Sequence, residues 1–147
     1  MKKVRLSVLV LFVGGLLFQC QDLGDRAAGI EQSLYGTWKL SKKMEIVDGL
    51  GADKFNTLQN CVKDNLIIYD QARTYTETEG STKCNASDSD TVTKATWELL
   101  EDGSKLKLNL TAGRMVTYEI MGLTEIRLEI LLTEQSVKTL FTYTRVQ

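Results

Sequence analysis

The last third of the chain alternates apolar and polar residues with a period of two, in five segments between Thr93 and Val146. Short runs of turn residues, such as the sequence EDGS before Lys105, separate the segments. Successive side chains of a β-strand point to opposite faces, so this period predicts strands with one dry and one wet face. Separators this short predict hairpins between neighbouring strands. The pattern therefore predicts an antiparallel meander.

The dry face of the meander collects aliphatic and aromatic residues from all five segments. Its members are Trp97, Leu99, Leu106, Leu108, Leu110, Val116, Tyr118, Ile120, Ile126, Leu128, Ile130, Leu132, Val137, Phe141 and Tyr143. The opposite face carries charged residues and threonines. Asp102 and Gly103 fit the positive-φ positions of a tight hairpin turn.

Three more strands precede the meander. One surrounds Trp38, with Leu40, Met44 and Ile46 expected on the same face as the tryptophan. Two lie within residues 65–78, and residues 52–59 are expected to form a short helix or a lid-like turn. A flat sheet of eight strands exposes long edges, whereas closure pairs them. We therefore predict an all-β fold, an eight-stranded antiparallel up-and-down β-barrel with one short helix; a two-sheet sandwich is the alternative.

The N-terminus is typical of an exported protein. Lys2, Lys3 and Arg5 precede an apolar run from Leu6 to Phe18, which is shorter than the roughly 20 residues of a spanning helix. We assign residues 1–19 to a signal peptide, residues 20–33 to a polar tether with room for a short helix at its end, and residues 34–147 to the barrel domain.

Cys20 stands directly after the apolar run. A cysteine at this boundary resembles the lipobox of bacterial lipoproteins, in which the cysteine is acylated and becomes the mature N-terminus. The resemblance implies that a lipid anchors the protein to a membrane of the cell envelope. We expect this membrane to be the outer membrane. Ordinary signal cleavage with an incidental cysteine, and a retained membrane anchor, are the alternatives.

Two further cysteines, Cys61 and Cys84, remain if Cys20 carries lipid. An exposed free thiol is a liability outside the cytoplasm, so we expect these two to form a disulfide. Two separate buried thiols are the alternative. Neither cysteine belongs to a C-x-x-C pair, which disfavours a zinc or redox site.

Composition excludes several classes of function. The sequence contains no histidine, the commonest general base and metal ligand, and we expect neither an enzyme nor a metal or other cofactor. Removal of residues 1–19 leaves 15 basic against 19 acidic residues. Nucleic acid is therefore not an expected partner, because its phosphates require a basic surface.

Gly36-Thr37-Trp38, at the start of the first strand, matches the G-x-W motif of lipocalins. Together with Cys61-(x)3-Asn65, Cys84, Thr96-Trp97-Glu98-Leu99 and Gly122-Leu123-Thr124, it makes the chain resemble the lipocalin-like lipoproteins of Bacteroidota. The resemblance implies that Trp38 plugs one end of the barrel and that Arg145, near the end of the last strand, packs over it. The T-D-Y motif of lipocalins is missing.

Two functions follow from such a barrel. The first is binding of one small hydrophobic ligand, fatty-acid-like or aromatic by the resemblance, with Trp97, Tyr118, Leu128, Phe141 and Tyr143 as candidate wall residues. The alternative is that the same residues are simply core, because an aromatic stripe at strand spacing more often reflects packing than a pocket. The second is an envelope interaction or inhibitor module that has a filled barrel and meets another protein through loops such as residues 79–90. In either case we expect a monomer.

Overall fold

The computed structural model describes residues 23–147, with side chains from residue 26 onward. Residues 1–19, which the sequence assigns to a signal peptide, and Cys20 lie outside the described residues. Within them the chain forms two helices and nine strands: α1 (Leu23–Leu34), β1 (Gly36–Val47), β2 (Leu50–Asp53), α2 (Asn60–Lys63), β3 (Leu66–Tyr69), β4 (Thr74–Thr78), β5 (Thr91–Leu100), β6 (Lys105–Leu110), β7 (Met115–Leu123), β8 (Arg127–Glu134) and β9 (Val137–Arg145).

Eight of these strands close into an antiparallel barrel. Strands β3 to β9 pair in chain order, and β1 pairs with both β3 and β9. In this register Trp38 lies opposite Ile67 on one side and opposite Arg145 on the other. The predicted barrel is confirmed, and the β1–β9 pairing excludes the sandwich. The five meander strands begin and end within a few residues of the predicted positions.

The core fills the end of the barrel where β1 begins and β9 ends, which we call the closed end. Its largest fully buried side chains are Trp38, Trp97, Tyr69, Leu34, Leu106 and Leu128. Burial of each such side chain contributes roughly 1.5–3 kcal/mol. The opposite end, bordered by the β1–β2 hairpin and by residues 54–65 and 79–90, is the open end.

A β-bulge in β1 overturns one prediction. Leu40 lies opposite Tyr143, but Lys42 lies opposite Thr142, so Ser41 is an extra residue in β1. Its hydroxyl donates a hydrogen bond to the carbonyl of Thr142, at 3.0 Å. A bulge reverses which residues face inward beyond it. Met44 and Ile46, expected inside with Trp38, therefore lie on the outer face.

The segment after β1 also differs from the prediction. Asp48 and Gly49 have positive φ and turn the chain back, so that residues 50–53 form β2 against the far half of β1. The carboxylate of Asp53 then accepts a hydrogen bond from the backbone N–H of Phe55, at 2.8 Å, beyond the end of the strand. The helix forms at residues 60–63 rather than within 52–59.

Ile126 was expected on the inner face and is 62% exposed. It lies in the turn between β7 and β8, where Thr124 and Arg127 exchange hydrogen bonds: the Thr124 N–H donates to the Arg127 carbonyl, and the Arg127 N–H donates to the Thr124 hydroxyl. The alternating pattern therefore begins two residues later than the sequence suggested, with Leu128 as its first inward residue.

Candidate functional site

The closed end is organised around Trp38 and Arg145. The indole of Trp38 is fully buried, and its Nε1–H donates to the carbonyl of Leu34 at 2.9 Å. The guanidinium of Arg145 lies over the indole, with its central carbon 4.4 Å from the ring centroid. Its N–H groups donate to three backbone carbonyls, those of Ser33, Tyr35 and Glu125. The arginine therefore covers the tryptophan and links β9 to the segment before β1 and to the turn between β7 and β8.

Gly36 completes this arrangement. A β-carbon at this position would clash with Nη1 of Arg145, and the φ of +132° is one that other residues rarely adopt. Only glycine leaves room for the guanidinium here. The structure thus brings Gly36, Trp38 and Arg145 together at the closed end.

Helix α1 closes this end from outside. Ile30 packs against Gly103 in the β5–β6 turn, and Glu31 forms an ion pair with Arg73, at 2.8 Å, in the β3–β4 turn. The helix falls mainly within the stretch assigned to a tether with a short helix at its end. Because α1 contacts several turns, it shields the buried core from solvent.

Two of the five candidate wall residues belong to this core. Trp97 is 2% exposed and packs edge-on against Tyr35 and Tyr69, each with ring centroids 5.9 Å apart. Leu128 is fully buried. Neither side chain lines a described cavity, so the core reading holds for both.

A cavity of about 230 Å³ occupies the open end of the barrel. Aromatic, aliphatic and polar side chains contribute to its wall. These are Tyr75, Tyr118, Phe141 and Tyr143; Leu40, Leu58, Val62 and Ile67; and Lys43, Asn65 and Glu77. Three of the candidate wall residues, Tyr118, Phe141 and Tyr143, are therefore placed together at this cavity.

The three rings form one continuous aromatic wall. Phe141 meets Tyr118 edge-on, with centroids 6.3 Å apart, and stacks beside Tyr143 at 6.4 Å. Strands β7 and β9 carry these residues at alternate positions, which keeps all three on the inner face. Such a wall offers flat apolar surface with phenol groups at its edge.

Polar groups stand on the remaining wall. The bulge turns Lys43 inward, opposite Phe141 in the β1–β9 register, and its Nζ lies 5.6 Å from the centre of that ring. The carboxylate of Glu77 accepts hydrogen bonds from Asn65 Nδ2, at 3.4 Å, and from the Tyr75 hydroxyl, at 3.5 Å. The cavity therefore combines an aromatic wall with one cation and one anion.

Burial raises the pKa of the phenols of Tyr75, Tyr118 and Tyr143, and the carboxylate of Glu77 raises it further. An ionised phenolate would lose hydration here and face a negative charge. The three hydroxyls therefore stay protonated at neutral pH; that of Tyr75 donates to Glu77, and those of Tyr118 and Tyr143 are available as hydrogen-bond donors.

The rim of the cavity consists of two segments joined by a disulfide. Leu58 and Val62 cover the cavity from residues 54–65, and Cys61 in this segment is bonded to Cys84 in residues 79–90. The predicted disulfide is confirmed, and the alternative of two separate thiols is wrong. Ser81 and Thr82 also donate hydrogen bonds to the carboxylate of Asp64, at 2.7–2.9 Å, and hold its pKa below the usual value.

A larger depression, of about 640 Å³, lies outside the barrel between α1 and the C-terminus. It is wide open to solvent, and polar residues such as Gln32, Ser33 and Glu125 line much of it. Ligand sites usually enclose most of the ligand surface and are mainly apolar. The barrel cavity is the more enclosed of the two, although its volume is smaller and its lining is equally polar.

Chemical groups for metal binding are not clustered in the described part of the chain, where no group of three acidic or cysteine side chains is placed to hold an ion. Within residues 23–147, neither helix is long and apolar enough to cross a bilayer.

Sequence reasoning missed four of the polar and aromatic wall residues: Lys43, Asn65, Tyr75 and Glu77. A signal existed for two of them, since Tyr75 and Glu77 alternate on one face of β4. For Lys43 there was none, because its inward direction depends on the bulge.

Comparison with known proteins matches residues 34–130 to the model of a family described as a lipocalin-like domain. No curated protein sequence matches the chain. Similar solved structures include a lipocalin-like protein from Bacteroides uniformis, with 13% identity, TM-score 0.48, and coverage of 74% of this chain and 96% of that chain. Bovine odorant binding protein in complex with a selenium-containing odorant has 10% identity and a TM-score of 0.42, with coverage of 80% of this chain and 73% of that chain. A mutant of the fluorescent protein UnaG has 16% identity and a TM-score of 0.40, with coverage of 78% of this chain and 97% of that chain.

Proposed function

The chain belongs to the lipocalin-like domain family, and from this premise we propose that it binds one small hydrophobic ligand in the cavity at the open end. The observation that carries the proposal is the placement of Tyr118, Phe141 and Tyr143 around a void of about 230 Å³. Well-packed cores leave few voids larger than a water molecule, whose share of liquid volume is about 30 Å³. Space of this size inside an aromatic wall favours a binding site over simple core packing.

The volume limits the ligand. Sites for drug-sized molecules usually measure roughly 300–1,000 Å³. The cavity lies below this range, and Trp38, Trp97 and Leu106 fill the barrel beneath it. Of the fatty-acid-like and aromatic ligands first considered, we therefore favour a compact aromatic molecule. The role is binding, and we assign no catalytic step to the cavity.

We propose that the N-terminal region exports the protein and anchors it to a membrane, as the sequence suggested. Residues 1–19 direct export, and Cys20 carries a lipid that anchors the protein to a bacterial membrane, which we take to be the outer membrane. Helix α1 begins at Leu23, three residues after that cysteine, and covers the closed end. This proximity supports an orientation in which the open end points away from the membrane.

The binding proposal is tested by NMR titration with p-cresol, a neutral single-ring probe. We expect saturable shifts of signals from Leu40, Ile67 and Tyr118, with little change at Leu106 and Leu128 in the core. Leu40→Trp fills the cavity and is expected to abolish the shifts. Leu140→Trp, on the outer face of β9, is the matched control and is expected to leave them intact. Absence of saturable shifts in the wild-type protein would overturn the proposal.

A protein-interaction module remains the second candidate. The observation that favours it is the attachment of residues 79–90 to residues 54–65, through the disulfide and through hydrogen bonds that Ser81 and Thr82 donate to the carboxylate of Asp64, at 2.7–2.9 Å. Such a module needs no cavity. We propose a monomer in both cases, because closure of the sheet removes the long edges through which β-proteins associate.

A further inference from the structure

Lys43 is the basic residue in the wall of the cavity, and its charge bears on which kind of ligand the cavity can bind. It lies on β1, two residues after the bulge at Ser41, and shares the cavity wall with Phe141 and Tyr143. Without the bulge this position would face solvent, as Lys39 does. The fold therefore brings one lysine of the strand into an aromatic cavity.

The ammonium group of Lys43 has no carboxylate partner among the described residues. It takes part in none of the ion pairs there, which involve other lysines and arginines. Its contact is the face of Phe141, at 5.6 Å. A ring attracts a cation but leaves its hydrogen-bond donors unused. The lysine therefore offers three N–H groups and a positive charge to whatever enters the cavity.

Glu77 faces the same cavity but is differently placed. It forms no ion pair with Lys43, and its oxygens already accept hydrogen bonds from Asn65 and Tyr75, at 3.4 and 3.5 Å. Both distances are long, so the carboxylate retains capacity for another donor. The hydroxyls of Tyr118 and Tyr143 have no acceptor among the described residues and add donors to the wall.

We propose that the ligand is a compact aromatic carboxylate: its anionic group pairs with Lys43, its ring lies on the wall of Tyr118, Phe141 and Tyr143, and a hydroxyl or N–H group donates to Glu77. This inference rests on the proposed function and specifies the ligand. Neither group has a charged partner among the described residues, but an anion is favoured over a cation because the ammonium of Lys43 also makes no hydrogen bond there, whereas Glu77 already accepts two. Charge-assisted hydrogen bonds are also stronger than neutral ones.

Three single-ring probes test the inference: 4-hydroxyphenylacetate, p-cresol and tyramine, which share a phenol and carry a negative, no and a positive charge. Calorimetric titration at pH 7 and low salt is expected to show that the acid binds about 10- to 100-fold more tightly than p-cresol. Tyramine is expected to bind no better than p-cresol.

Lys43→Met keeps the length of the side chain and removes the charge. It is expected to reduce the affinity for the acid to that for p-cresol, while binding of p-cresol itself shows that the variant is folded. Lys42→Met removes the same charge from the outer face and is expected to leave all three affinities unchanged. Glu77→Gln is expected to weaken binding of the acid less than Lys43→Met does.

The outcomes separate the inference from the proposed function. Equal binding of the acid and p-cresol, tighter binding of tyramine, or equal effects of Lys43→Met and Lys42→Met would overturn the carboxylate while leaving the binding function in place. Failure of all three probes to bind the wild-type protein would overturn both.

Discussion

Cys61 and Cys84 are joined across the rim of the cavity, so that the segment carrying Leu58 and Val62 cannot move independently of residues 79–90. The disulfide thus links the covering of the cavity to the loop of residues 79–90 at the open end. Its position suggests that it affects both stability and access to the cavity.

Replacement of Cys61 and Cys84 together by alanine is expected to lower the free energy of unfolding by about 3 kcal/mol, because the unfolded chain regains the freedom of a loop of this length. Release of p-cresol is also expected to become faster, because the rim loses its link. Urea unfolding and NMR line shapes measure the two effects. Unchanged release with the expected loss of stability would show that the disulfide does not restrain access.

Gly36→Ala is expected to destabilise the protein by roughly 1–3 kcal/mol, since the new methyl group meets the guanidinium of Arg145 and the residue must keep a positive φ. Fluorescence of Trp38 should shift to the red as water reaches the closed end. Gly29→Ala is the matched control: it lies in α1 with open space around it, and is expected to be neutral or stabilising by about 0.5–1 kcal/mol. Equal effects of the two changes would contradict this account.

Leu128→Ala, in the filled part of the barrel, is expected to lower the free energy of unfolding by about 2–5 kcal/mol. Phe141→Ala is expected to remain below the roughly 3–5 kcal/mol typical of a buried phenylalanine, because one face of its ring already borders the cavity. Urea unfolding of both variants provides the comparison. A loss at Phe141 as large as that of a fully buried ring would indicate packing rather than a binding wall.

Stability is expected to fall at alkaline pH. The phenols of Tyr75 and Tyr143 have a raised pKa in the folded protein, chiefly through burial, and an ordinary value near 10 when unfolded. Their contribution is therefore fully present below about pH 10 and is lost as the pH rises beyond it, by roughly 1.4 kcal/mol per pH unit for each phenol. Denaturation curves between pH 7 and 11 measure the slope, which Tyr75→Phe should reduce.

Cys20→Ala is expected to prevent lipidation and to leave the protein in the soluble fraction or as a precursor. Globomycin, which blocks lipoprotein signal peptidase, is expected to cause the precursor of the unaltered protein to accumulate in cells. Metabolic labelling with a palmitate analogue measures the modification directly. If the unaltered protein is neither labelled nor sensitive to globomycin, the anchor is wrong.

The sequence by itself determined the strands of the meander, the closure into a barrel and the partnership of the two cysteines. Alternation of period two is a local property, because each strand must have one apolar face. Gly36, Trp38 and Arg145 were recognisable through the resemblance to lipocalins, in which a G-x-W motif opens the first strand and an arginine near the end of the last strand packs over the tryptophan. The other features follow from residues that are close together in sequence, from the pairing of sheet edges, or from a count.

Only the tertiary structure decided which way Lys43 points and whether the barrel holds a void. The bulge at Ser41 exists because β1 pairs with β9, whose residue Thr142 accepts the hydrogen bond from a position 101 residues away. The same alternation placed Trp97 and Tyr118 on one face, yet Trp97 is core and Tyr118 lines the cavity. Packing at the closed end separates them, and packing is a property of side chains that meet from distant parts of the chain.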